Sequence, residues 1–502
     1  MNRLWTILAT TFAAAALGLI AACTVTHRVA VPGTTTPPAQ STIVGITTNA
    51  GVEVTFDQPA ALQGDKLAAK VKKMPYEIAQ ADIQRYWVET RTKSTARTVG
   101  LVVGVAGAAA VAIAVVAIAS ASRHVNIPAG GGGCCLFVYS WDGQRYNFDT
   151  EAYTGAITRG LERDDFSLLN KVHEQGGEYR LMLSNDNDET QYTDQVELWV
   201  VDHKPGVTPR VGGDGSLYSV AEPHPPLAAH DGQGKDLLAW LTKRDGLIWE
   251  PSPAEPRQEV VLTFAKPAGA KQVKLVASAT ETLWAGEAAG HMLGLLGPQL
   301  PGWYEQIDGD PAARGELLAW MGREELFALK IEVEEPTGWQ VRGMMPISGP
   351  FVSDERVTPL DVSRVAGDTV RVRLRPPAGF WAFNSFAVDY SADGPSESRA
   401  RVTKLEPVRA RDAAGRDLRP ALCAADGQYY EMHEQGEQAT VAFAAPPAVS
   451  GMERTLFLHS RGYYHMHIAE TGEPDLAAFQ KILTEPGAGA AFSAKMFAAM
   501  SR

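Results

Sequence analysis

The chain has 502 residues, 45% hydrophobic and 21% charged, with a formal charge of −12. That balance excludes a disordered chain, a collagen-like fibre and a polytopic membrane protein. The acidic excess argues against a nucleic-acid partner, which needs a basic stripe facing the phosphates. Four cysteines are too few for a disulfide scaffold of this length.

Met1-Asn2-Arg3 is a short basic start, and Leu4 to Ile20 is apolar apart from three threonines. The run falls short of the ~20 residues a membrane span needs, and its flanks are those of a signal peptide over residues 1–22. Ile20-Ala21-Ala22-Cys23 resembles a bacterial lipobox. That resemblance implies a palmitate-type acyl anchor on Cys23 and, with Thr24 next, sorting to the outer membrane. Residues 23–40 are then anchor and tether, rich in Pro and Thr from Val31 to Gln40.

Residues 41–97 read as a small β domain. Ile43–Ile46 and Val52–Phe56 flank the turn signal Asn49-Ala50-Gly51, and Ile83 to Thr90 is a further β-type run. The pattern is similar to the small barrel-like units that precede a hydrophobic helix in some envelope lipoproteins. Residues 98–122 carry no charge and are long enough to span a bilayer as a transmembrane helix. Gly100 and Gly104 stand at the spacing that lets helices approach closely. With Leu101 as its one leucine, the segment inserts only weakly. Residues 123–133 form a Gly-rich linker.

The remainder reads as mainly β: a β-rich domain over 134–255, a β-sandwich with a helical insertion over 256–395, a β-rich domain over 396–470 and a helical tail over 471–502. Thr369 to Arg375 alternates strictly, placing Val370, Val372 and Leu374 inward and three arginines outward. Similar runs cover 178–183, 195–202, 258–264, 272–277, 325–334 and 439–443. Asp142-Gly143, Asp231-Gly232, Asp245-Gly246 and Asp426-Gly427 are hairpin signals. Short inserted helices are expected at 287–296 and 312–321. Trp284, Trp303 and Trp320 should close a side layer there, and two more helices are expected at 479–483 and 490–500. Regular short strands of this kind indicate β-sandwiches.

Cys135 to Tyr146, reading CLFVYSWDGQRY, resembles a hairpin of extracytoplasmic FG-GAP and ASPIC/UnbV-type proteins. Glu197 to His203, Pro225 to Asp236 and Phe380 to Asn384 are similar to further parts of that module. The resemblance covers about residues 134–390 and departs at Leu136, where the family has Pro. It implies a β-module outside the cytoplasm and transfers no catalytic residue.

His173-Glu174 and His433-Glu434 begin like H-E-x-x-H but lack the second histidine, so they read as turns. His465 and His467, two apart on one strand face, are metal-ligand candidates, with His459 within reach. Asp186 and Asp188, beside Glu189 and Asp194, are calcium-ligand candidates. Glu162, Asp164 and Asp165 around Arg163 read as an acid/base group or a solvated cluster. Of Cys134 and Cys135, one could bridge to Cys423, with Cys135–Cys423 the pairing expected in an oxidising compartment. Taken together the residues point to a non-catalytic envelope lipoprotein with no cofactor. Its partners are the membrane and an unidentified envelope protein or glycan. A glycan-binding sandwich, with an exposed Trp row, or an envelope hydrolase, with a deep polar pocket, are the alternatives.

Overall fold

Alternation of apolar and polar residues is the pattern that one-face burial of a strand requires, and it governs most of the chain. In a computed structural model, residues 24–32, 42–49, 53–71, 73–93, 135–251, 256–352, 354–391, 400–468 and 473–500 are described. They fall into two units, one within residues 1–120 and the other within 121–499. The segments 1–23 and 94–134, with Cys23, Cys134 and the expected 98–122 helix, lie outside the described residues. Among the described residues no helix is long and apolar enough to cross a membrane.

The first unit comprises β1 (Thr24–Pro32), β2 (Thr42–Thr48), β3 (Glu53–Gln63), β4 (Lys66–Val71), β5 (Met74–Ala79) and β6 (Ile83–Lys93). They form one antiparallel sheet in the order β1-β6-β2-β3-β4-β5. Ile43, Ile46, Phe56, Leu67, Ile83, Tyr86 and Val88 make its core. Thr24 to Pro32 falls in the stretch expected to be anchor and tether, of which composition marked only Val31 to Gln40. It is an edge strand whose nine residues pair with β6.

The second unit begins with β7 (Leu136–Trp141), β8 (Tyr146–Ala152), β9 (Arg163–Leu169), β10 (Glu178–Ser184) and β11 (Glu189–His203). A hairpin of β12 (Thr208–Val211) and β13 (Leu217–Val220) follows, then β14 (Ala228–Asp231), the helical turn α1 (Leu238–Leu241), β15 (Val260–Ala265) and β16 (Gln272–Glu281). Three helices come next: α2 (Leu283–Gly294), α3 (Leu300–Gly309) and α4 (Pro311–Glu324). Thr282 caps α2 through Ala285 N at 3.3 Å. Asp310 caps α4 through Ala312 N at 2.8 Å, with Pro311 at the first helical position. The strands β17 (Ala328–Glu335), β18 (Gly338–Pro346), β19 (Asp354–Asp361), β20 (Thr369–Leu374) and β21 (Trp381–Asp389) lead to β22 (Ala400–Leu405) and β23 (Arg409–Asp412). A second helical turn, α5 (Arg419–Leu422), precedes β24 (Tyr430–Met432), β25 (Gln438–Ala444) and β26 (Glu453–Met466). The helices α6 (Leu476–Thr484) and α7 (Ala488–Met500) end the chain.

The expected boundaries at 255/256 and 395/396 do not separate the sheets. One sandwich pairs the sheet β23-β25-β10-β7-β8 with the sheet β22-β11-β26-β9; the other pairs β14-β15-β20-β17-β18 with β19-β16-β21. Each sandwich therefore joins strands from before the α2–α4 segment to strands from after it. Their inner faces share one core. Leu181, Leu183, Leu198, Phe443 and Leu458 of the first pair of sheets, and Leu262, Leu275, Val372, Leu374 and Val388 of the second, belong to it. The alternating run 369–374 behaves as its pattern requires, with Val370, Val372 and Leu374 buried.

Of the four Asp-Gly signals, Asp142-Gly143 closes the β7–β8 hairpin and Asp231-Gly232 a short antiparallel turn with His230 opposite Asp236. Asp231-Gly232 turns β14 toward α1, while Asp245-Gly246 and Asp426-Gly427 dock onto bulged strand residues. Asn384 accepts the amides of Asp245 and Gly246 at 3.2 and 3.3 Å. Asp194 accepts those of Asp426 and Gly427 at 3.2 and 2.8 Å. The helical segment is longer than expected, because α3 fills the gap between its two anticipated helices. Trp320 is buried and donates to the Ile482 carbonyl at 2.8 Å, and Trp303 packs edge-on against Phe479. Trp284 donates to Ser493 Oγ at 2.8 Å. These tryptophans thus join the inserted helices to α6 and α7. The space between them is a cavity of about 30 Å³ lined only by apolar side chains, including Met292, Leu317 and Phe380.

Candidate functional site

Strand β26 lies between β11 and β9, and alternate residues along it share a face. On one face of it His459, Arg461, Tyr463 and His465 form a row. The His459 Nε2 is 2.8 Å from Asp164 Oδ1 and its Nδ1 is 3.4 Å from Glu197 Oε2. The ring stacks on Phe166 at 4.6 Å, which fixes its plane. Arg461 donates to Glu162 at 2.9 Å and to Asp164 at 3.0 Å, and its Nε stands 3.5 Å from Asp194. Tyr463 stacks on Tyr192 at 4.5 Å and meets the edge of Tyr429 at 5.3 Å. His465 stacks on Tyr304 of α3 at 4.5 Å. Beside this row Trp199 donates to Glu197 at 2.5 Å and carries the Lys404 ammonium over its ring at 4.2 Å.

Three carboxylates here face one guanidinium. Burial lowers the Arg461 pKa, but the charges of Glu162 and Asp164 outweigh it and hold the group above its ordinary value. Burial, reinforced by Glu162, pushes the Tyr429 hydroxyl up to about 12. Burial also depresses the His465 imidazole against the opposing pull of Asp308, so that ring is neutral at pH 7. The result is a row of acidic, aromatic and imidazole groups engaged with their neighbours by hydrogen bonds and ring stacking. Such a surface loses little side-chain freedom when it meets a ligand.

The metal candidates are separated by their surroundings. His465 sits among Tyr192, Tyr304 and Tyr463. His467, just past the strand end, is held by Asp188 Oδ1 at 2.8 Å and Thr190 Oγ1 at 2.9 Å. Asp186 accepts from Ser184 at 2.5 Å and from the Tyr139 hydroxyl. Glu189 points inward, and Asp194 caps the Asp426-Gly427 turn. Among the described residues no group of three His, Cys, Asp or Glu side chains is placed to hold a metal. Period-two alternation and a local bulge send these near neighbours in sequence to different faces. The two H-E pairs are turns: Glu174 accepts from Gly177 N at 2.6 Å, and Glu437 accepts from Glu434 N at 3.0 Å. The described tryptophans are buried or half-buried, so none supplies an exposed stacking row.

Cys135 and Cys423 are not joined in a disulfide. Cys135 is fully buried with φ at +120°, a backbone state that L-residues rarely adopt. Its amide donates to Glu189 at 2.9 Å and its thiol to Glu151 at 3.4 Å, while Thr154 donates to the sulfur at 3.2 Å. Glu151 also accepts from Phe351 N at 2.9 Å. Burial raises Glu151 well above the usual carboxylate range and pushes Glu189 up to about 8 and Asp354 to about 6. Sequence reasoning missed this carboxylic-acid cluster; its only signal is acidic residues at apolar-phase positions of β8 and β11. The half-buried Cys423 should react with a maleimide in the native protein, whereas Cys135 should react only after denaturation. Site-resolved mass spectrometry checks this, and equal native labelling would refute the buried placement.

No known protein family matches the chain, and no curated protein matches it. Among solved structures, a chain from "The Triple Jelly Roll Fold and Turret Assembly in an Archaeal Virus" aligns over 68% of this chain and 98% of its own, at 8% identity and a TM-score of 0.11. A chain from "Life in the extremes: atomic structure of Sulfolobus Turreted Icosahedral Virus" aligns over 68% and 99%, at 7% identity and a TM-score of 0.12.

Proposed function

We propose that this chain is a non-catalytic cell-envelope lipoprotein whose β-body binds or scaffolds another envelope component. The reading rests on the row along β26, where His459, Arg461 and their four carboxylates are engaged with one another, Asp164 and Arg461 being the most exposed of them. Charged groups fixed in this way suit recognition of a complementary polar surface, since their positions are set before contact. Anchoring by an acylated Cys23 holds the body outside the cytoplasm, at the outer membrane. Membrane attachment can be strengthened by residues 98–122 if they form an apolar helix.

Two measurements test this. Metabolic labelling with a fatty acid should mark the wild type and leave Cys23→Ala unlabelled; equal labelling of the variant refutes the anchor. Full-length protein should be cross-linked in intact cells, isolated from membranes and analysed by mass spectrometry. A defined envelope partner should be retained by the wild type and reduced at least fivefold in His459→Ala/Arg461→Ala. An unchanged partner set, or turnover of an envelope polymer by the purified chain, overturns the proposal.

A further inference from the structure

The segments Ala229 to Glu250 and Ala410 to Glu431 share the pattern A-x-D-x-x-G-x-D-L-x-x-x-L-x-x-x-D-G-x-x-x-E. They fold alike. Asp231 and Asp412 each open a turn closed by a glycine of positive φ, Gly234 and Gly415 at +81° in both. Leu237 N and Leu418 N then return to Ala229 O and Ala410 O at 2.8 and 2.9 Å. Each segment ends on an Asp-Gly turn capped by a bulged strand residue, Asn384 in one case and Asp194 in the other.

The likeness extends through both sandwiches. β14 pairs β15 as β23 pairs β25, and β15 pairs β20 as β25 pairs β10. β17 pairs β18 and β20 as β7 pairs β8 and β10, with a bulge after Ile331 in one hairpin and after Val138 in the other. β16 lies between β21 and β19 as β26 lies between β11 and β9. Leu275 stands opposite Val388 and Thr358; Leu458 stands opposite Leu198 and Ser167. In chain order, then, β7 to β16 and β17 to β26 are two repeats. Neither repeat builds a sandwich alone. The first five strands of each complete their sheets with the last strands of the other.

At the centre of this exchange, Asp165 of β9 and Arg356 of β19 occupy equivalent positions, since they stand opposite Ser460 and Ala277 in corresponding registers. They form a buried ion pair of 3.2 Å. A residue that meets its own equivalent lies on a two-fold axis, where a homodimer would place two identical side chains. We infer that the chain is a fused homodimer: two copies of one module that have exchanged halves about a pseudo-twofold axis through Asp165 and Arg356. The opposite charges at that axis select unlike repeats as partners. Pairing of like repeats from two chains would bury Asp against Asp or Arg against Arg, an uncompensated charge in either case. Fusion also freed the copies to diverge elsewhere. His459, Arg461 and Tyr463 of the candidate site correspond to Val276, Ser278 and Thr280 in the other copy, so the fold does not require that row.

A protease recognition sequence inserted between Gly309 and Asp310, at the exposed junction of α3 and α4, tests the exchange in the full-length folded chain. After cleavage the two fragments should co-elute at the mass of the uncut protein and separate only in denaturant. Release of two separately folded fragments under native conditions overturns the inference. For the axis, Asp165→Arg and Arg356→Asp should each lower the urea midpoint and increase the fraction of oligomer on gel filtration. The double reversal should recover at least half of the lost midpoint and return the monomer. A double variant no better than the worse single one refutes the axis role, and the cleavage result stands whether or not the single variants fold.

Discussion

Stability should fall as pH rises from about 4 to about 8, in contrast to a protein stabilised mainly by ionised carboxylates. Asp354, Glu250 and Glu189 titrate in the folded chain at about 6, 7 and 8, and Glu151 is raised well above the ordinary range, with burial the first cause in each case. A carboxyl whose folded pKa exceeds its unfolded value contributes stability that is complete below the unfolded value, near pH 4. That stability is lost as pH rises through the folded value. A tenfold difference in proton affinity between the folded and unfolded chain is worth about 1.4 kcal/mol, so the set commands several kcal/mol. Asp165 and Asp389 act in the opposite sense: burial raises both, but the Arg356 charge at Asp165 and the Ser391 hydroxyl, Glu222 amide and Lys274 ammonium at Asp389 outweigh it and lower both. Their contribution is present above the ordinary carboxylate range and is lost in stronger acid. The urea midpoint should therefore peak in mildly acidic buffer and decline toward pH 9. Glu189→Gln, which cannot ionise, should flatten the decline between about pH 4 and pH 8. A midpoint that climbs steadily to pH 9 would contradict this account of the core.

Trp381→Ala should cost about 3–5 kcal/mol, as removal of a large buried aromatic side chain does. The indole is fully buried, stacks with Phe383 at 6.2 Å and donates to the Glu325 carbonyl at 3.0 Å. Glu325 is the left-handed residue that ends α4, so truncation both opens a cavity and releases the helix end that leads into β17. Trp339→Ala provides the comparison. That ring is half-buried on β18 and packs under the Arg373 guanidinium at 4.5 Å, so its loss should cost only about 1 kcal/mol. Urea unfolding of both variants measures the contrast, and equal losses would be inconsistent with the described packing.

Much of the architecture was legible in residue order. Strict alternation at 369–374 determined a one-face-buried strand, because a period of two leaves no other way to hide Val370, Val372 and Leu374 while solvating the arginines. The change of pattern after Ala285 marked two of the three inserted helices, α2 and α4, though not the Thr282 and Asp310 caps that start them. The mainly β class followed from the same local rules. The candidate site was only partly readable. His459, His465 and the carboxylates around Arg163 were visible as residue types, but their roles depend on which strands lie beside β26.

That neighbourhood is a long-range fact. Asp164 reaches Arg461, and Asp165 reaches Arg356, although the two aspartates are adjacent in sequence, because successive side chains leave a strand on opposite faces. Domain boundaries inferred from composition assumed that neighbouring segments fold together. Sheet pairing joined each half of one repeat to half of the other instead. The repeated A-x-D-x-x-G-x-D-L segment was present in the sequence as a signal of duplication, and half exchange has no local signature at all. Alternation and turn chemistry determine that a segment is a strand and which face it buries. Which strand completes its sheet is decided by packing and charge between residues far apart in the chain, and here only the tertiary structure made that choice.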